Sequence, residues 1–93
     1  MSNKLVISNL GGACPIQGEG TVNGVPFYFR ARYEHWKMSI GEDPVRIGLG
    51  WAEGWSKRER WGTEPYEASW MTMSEAKEII NQCADEYMLE VGG

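Results

Sequence analysis

Three sets of residues in this chain have the types and spacing to do chemistry. The first runs from Trp51 to Trp61, where Trp51, Trp55 and Trp61 flank Lys57, Arg58 and Arg60. Planar and basic side chains interleaved in this way suit a single-strand nucleic-acid or glycan platform. Glu53 and Glu59 cut the net charge of the stretch to about +1, too small for a strong phosphate term. The structural account of the same residues buries one or two tryptophans over a sheet face and stacks Arg58 or Arg60 on another. A protein-interface hot spot, where Trp, Tyr and Arg are favoured, is the functional account that follows.

The second set is acidic. From Ser74 to Glu90 there are Glu75, Glu78, Asp85, Glu86 and Glu90 against the single base Lys77. Residues 1–73 hold equal numbers of acids and bases, so this segment carries the whole net charge of -4. At about 100° per residue, Glu75, Glu78, Gln82, Asp85 and Glu86 fall within roughly one third of a helix circumference. Glu75 and Glu78 sit where a helix dipole favours them, whereas Asp85, Glu86 and Glu90 do not. A solvated, solubilising face explains such a ridge in most proteins. Carboxylates kept near a helix C-terminus without basic partners at i+4 also fit a surface that meets a basic partner.

The third set is the catalytic inventory, and it is thin. His35 is the only histidine, and Cys14 and Cys83 lie far apart, so no metal-ligand spacing exists. Cys14 precedes Pro15, with no helix N-terminus to lower its pKa for a thiol–imidazole pair with His35. Gly48, Gly50 and Gly54 depart from a dinucleotide pattern, since Glu53 stands where the third glycine belongs. Glu19 and Glu34 are carboxylates on strands with no cleft indicated between them. No enzyme, cofactor or metal is expected.

The elements that must carry these residues follow from periodicity. Lys4 to Asn9 is a short apolar strand closed by Gly11-Gly12. Asn23-Gly24, between GEGTV and VPFYFRAR, is the pair suited to a two-residue type I′ turn. In the returning strand Val25, Phe27, Phe29 and Ala31 share a core face, with Pro26, Tyr28, Arg30 and Arg32 opposite. A turn near Tyr33-Glu34 leads to HWKMSI, in which Trp36, Met38 and Ile40 alternate with His35, Lys37 and Ser39. Val45 to Leu49 reads as another short strand, and the stretch to Trp70 as a second hairpin or an ordered loop. Thr72 and Glu75 fit a capping box, and Ala76, Ile79, Ile80, Cys83, Ala84, Tyr87 and Met88 form one apolar stripe behind it. The expected fold is α+β: an antiparallel β-meander of four to five strands packed against one C-terminal amphipathic α-helix.

Composition bounds what such a fold does. Ninety-three residues fit a single domain spanning 1–93. Gly at 12 residues, nearly twice the usual share of roughly 7%, belongs to a chain of short strands and tight turns. A pI near 4.9 argues against a general nucleic-acid binder, which needs a basic excess or at least a basic face. No apolar run approaches a membrane span, and Met1 to Leu10 lacks the signature of a signal peptide. A cytoplasmic protein with two reduced thiols is therefore expected.

The motifs QGEGTVNGVPFYFRARYEHW (Gln17 to Trp36) and EPYEASWMTMSEAKEII (Glu64 to Ile80) resemble a group of short bacterial, phage and mobile-element proteins built as a small β-meander plus one helix. In size, acidity and lack of catalytic residues the chain is similar to anti-CRISPR inhibitors. That resemblance implies a non-catalytic inhibitor in the cytoplasm of a bacterial host. Its partner would be a Cas effector subunit, bound at the basic surface that receives target DNA, with no direct nucleic-acid or membrane contact. The resemblance assigns no site residue. On charge and aromatic content the partner-binding candidates are Glu75, Glu78, Asp85, Glu86, Glu90, Trp51, Trp55, Arg58 and Trp61, in a monomer or homodimer. The alternative is a small-ligand or glycan module using Trp51, Trp55 and Trp61.

Overall fold

A computed structural model of the chain describes residues 5–12, 16–32, 34–61 and 71–90. Five strands and two helices follow in the order β1 (Leu5–Gly11), β2 (Ile16–Val22), β3 (Val25–Arg32), β4 (His35–Ile40), α1 (Pro44–Gly48), β5 (Trp55–Arg60) and α2 (Met73–Glu90). The strands pair antiparallel in sequence order, β1-β2-β3-β4-β5, and α2 lies on one side of the sheet. This is the α+β meander with one long C-terminal helix.

The β2–β3 register is set by its turn. Asn23 at φ 52° and Gly24 at φ 82° supply the two left-handed positions of a type I′ hairpin, so Val22 faces Val25 and the pairing runs to Ile16 opposite Ala31. Alternation then sends Phe27, Phe29 and Ala31 of β3, with Trp36, Met38 and Ile40 of β4, to the helix side, where all six are buried. Ala76, Ile79, Ile80, Cys83 and Ala84 of α2 complete this core. The helix starts at the expected box: the Thr72 backbone N–H donates to Glu75 Oε1 at 2.9 Å, and the Glu75 N–H donates to Thr72 Oγ1 at 3.1 Å.

Strand β1 solves a parity problem. Leu5, Ile7 and Leu10 all pack against the core, although a regular strand would send Leu10 to the other side. The pairing shifts between Ile7 and Asn9, an irregularity that inserts Ser8 and restores Leu10 to the core face. Glycines in β2 make room for it. A Cβ on Gly18 would lie 2.8 Å from Leu10 Cδ1, and one on Gly20 would lie 1.9 Å from the Val6 carbonyl oxygen.

The expected strand over Val45 to Leu49 is instead one helical turn. Pro44 occupies a first-turn position where its missing N–H costs nothing, and Asp43 Oδ1 accepts from the Arg46 N–H at 3.4 Å. The apolar alternation of Val45, Ile47 and Leu49 leaves only Ile47 buried, against Gly41 and Gly54. Of the choice between a second hairpin and a loop, residues 55–60 form a fifth strand paired with β4, and residues 62–70 lie outside the described residues. No helix among the described residues is long and apolar enough to cross a membrane.

Candidate functional site: a cationic sheet face

Alternation along β3, β4 and β5 that buries the core residues projects the intervening residues to the side away from α2. There Arg30 stands opposite Lys37, and Lys37 opposite Arg58, so three cations lie side by side across three adjacent strands. The next row is Arg32, His35 and Arg60, and the row before it is Glu19, Tyr28, Ser39 and Ser56. Directly opposed residues place their Cβ atoms about 4.5–5.5 Å apart, and like charges so placed destabilise a sheet. Five of the nine Lys and Arg residues of the chain thus share one face.

Few carboxylates answer them. Arg60 meets Glu34 at 3.7 Å, and Glu19 lies one strand away, opposite Tyr28. No described carboxylate stands within ion-pair distance of Arg30, Lys37 or Arg58. Lys37 Nζ donates instead to the carbonyl of Gly48 at the end of α1, which fixes its stem along the edge of a groove. The groove, about 410 Å³, runs between α1 and strands β3 and β4; Tyr28, Arg30, Lys37, Ser39, Val45 and Leu49 are among its walls. Two polar atoms of these walls, Arg30 Nε and Ser39 Oγ, are buried without a hydrogen-bond partner.

The acidic ridge has a different structure from the one its spacing suggested. Glu86 receives Lys57 Nζ from β5 at 2.8 Å on both oxygens, and Glu90 receives the Trp55 indole N–H at 2.7 Å. The Glu86 hydrogen bonds, chiefly, raise the Lys57 pKa above its ordinary value. Glu75 closes the helix cap. Glu78 and Asp85 are exposed on the outer side of α2. These five acids therefore share one helix, yet three of them fasten the helix to its start or to the edge strand.

The tryptophans divide as well. Trp55 packs edge-on against Tyr87 with ring centroids 6.1 Å apart, and Trp61 packs half-buried against the core. Trp51 alone of the three is freely exposed, at 74%. Since Trp55, Lys57 and Glu59 alternate with Ser56, Arg58 and Arg60 along β5, neither arginine shares a face with Trp55. Arg58 belongs to the cationic row. Arg30, Arg32, Lys37 and Tyr28 complete that surface and were not among the candidates. Their signal was present in the alternating polar positions of VPFYFRAR and HWKMSI, because two residues separate Arg32 from His35 and so fix Arg30 opposite Lys37.

Cys83 is a free thiol in the core, pushed up to about 12 chiefly by burial, and has no nucleophilic role there. Cys14, the thiol considered as a partner for His35, lies outside the described residues. Among the described residues no group of three His, Cys, Asp or Glu side chains is placed to hold a metal ion. No family model matches the chain, and no curated protein or solved structure matches it.

Proposed function

We propose that this chain is a non-catalytic binding protein whose working surface is the cationic face of the sheet, and that its partner is anionic. The observation that carries this reading is the row Arg30, Lys37 and Arg58. A fold gains nothing from three cations abreast without local carboxylates; it loses stability, and an anion laid across the row recovers it. The net charge of -4 does not oppose this, because the excess of acid over base lies on α2, across the sheet from the row. Retention on immobilised heparin at pH 7.5 and low salt tests the reading. Wild type should be retained and the Lys37→Glu/Arg58→Glu variant should flow through, with its circular dichroism unchanged. Wild type in the flow-through would end the proposal.

The outer side of α2 supports a second reading, in line with the resemblance to anti-CRISPR inhibitors. Exposed Glu78, Gln82 and Asp85 would dock on a Lys/Arg-lined groove of a Cas effector subunit and block target DNA. Capture of an assembled effector complex by the tagged protein, lost on adding target DNA and lost in Glu78→Lys, is the outcome this reading requires. Capture unaffected by Glu78→Lys would remove the ridge from the interface.

A further inference from the structure

The cationic row alone would attract any polyanion, but the groove beside it is selective. Resting on the reading of the sheet face given above, we infer that the anionic partner is a single-stranded nucleic acid, with its phosphates along Arg30, Lys37 and Arg58 and one base in the groove against Tyr28. Three observations combine. First, the row crosses three strands, so it presents charge along a line, as a nucleic-acid backbone does. Second, the groove opens on the row and has a mixed wall: the Tyr28 ring, the apolar side chains Val45 and Leu49, and the stem of Lys37. Its volume of about 410 Å³ lies within the usual range of small-ligand sites, about 300–1,000 Å³. Third, Ser39 Oγ and Arg30 Nε–H lie buried in the lining with their hydrogen-bonding capacity unused. Buried polar groups are normally paired, so a polar edge entering the groove would satisfy both.

A duplex offers phosphates to the row but keeps its base faces stacked, and heparin has no base; neither uses Tyr28 or the two orphan polar atoms. An unpaired nucleotide uses all of them. Sheet surfaces that bind single strands elsewhere work by the same division, with aromatic rings for bases and cations for backbone. Glu34 holds Arg60, so the row Arg30, Lys37 and Arg58 supplies the phosphate contacts, and the affinity should fall with salt at a log–log slope of about -2.

The test is fluorescence polarisation of a labelled 12-residue oligothymidylate, run beside duplex DNA, heparin and vesicles of phosphatidylserine with phosphatidylcholine. The oligothymidylate should bind tighter than the duplex of equal length. Tyr28→Ala should weaken it about tenfold, by clearly more than it weakens heparin binding, and Tyr28→Phe should restore it. Ser39→Ala should lower oligothymidylate affinity alone, and it leaves the sheet intact because it removes only the hydroxyl. If folded Tyr28→Ala and Ser39→Ala bind oligothymidylate as wild type does, the base groove is wrong while the cationic face stands. Equal or tighter binding of duplex, heparin or vesicles also overturns it. If Lys37→Glu/Arg58→Glu leaves every ligand bound, the sheet face itself is not the working surface.

Discussion

At the scale of the residue, Arg58 has two opposed roles. It is exposed, and it lies directly opposite Lys37, which is opposite Arg30. Replacing it with Gln removes one like-charge contact and no apolar packing, so Arg58→Gln should raise stability by about 0.5 kcal/mol at low salt while weakening polyanion binding. The gain should fade as ionic strength rises, because the pair is screened. Urea denaturation at low and high salt measures it, and a loss of stability would mean the row is not under strain. Cys83 gives a prediction of a different kind. Burial, with Glu86 nearby, holds its thiol at about 12 against an ordinary value of 9.0. The unfolded chain ionises first on raising pH, so this contribution is complete below about pH 9 and is lost towards pH 12. Wild type should therefore lose stability more steeply than Cys83→Ala over that window, whatever their starting difference. Parallel slopes would show that the thiol is not shielded.

At the scale of the element, the sheet depends on contacts that only backbone can make. Gly20 faces Ile7 beside the irregularity in β1, and a Cβ there would fall 1.9 Å from the Val6 carbonyl oxygen. Since that obstacle is backbone, Gly20→Ala should cost about 2 kcal/mol or more and loosen β1 selectively. Hydrogen exchange should then show the Leu5–Gly11 amides exposed while β3 and β4 stay protected; uniform protection would refute the account. The same strand shows where sequence reading stops. Asn23-Gly24, the Phe27 to Ala31 face and the Thr72–Glu75 box were legible because each is decided within a few residues. The extra residue Ser8 was not, because it answers to Gly18 and Gly20 on another strand. Val45 to Leu49 misled for a related reason: alternation over five residues fits a strand, but Asp43 and Pro44 give the local start of a helix. The cationic row falls between these cases. Arg30 opposite Lys37 is fixed by a short turn, whereas Arg58 joins them through a register that the intervening α1 hides from the sequence.

At the scale of the whole molecule, the charge is polarised. The helix holds the net -4 and the far side of the sheet holds five cations, in a body whose smallest principal extent is 21 Å. Whether the two faces act independently depends on the screening length. At physiological salt it is about 8 Å, shorter than the body is thick, so the helix acids should scarcely repel an anion on the cationic face. At about 0.01 M salt it grows to about 30 Å, and the helix should then oppose binding through the protein. Glu78→Lys/Gln82→Lys makes this visible, because both residues are exposed on α2. The double variant should bind oligothymidylate as wild type does at about 0.15 M salt and several-fold tighter at about 0.01 M. A large gain at 0.15 M would place nucleic acid on the helix side after all, since only a near charge acts through that much salt. No gain at either concentration would show that the acids of α2 are electrically irrelevant to the opposite face. Their exposed part would then be left to serve solubility or a basic protein partner.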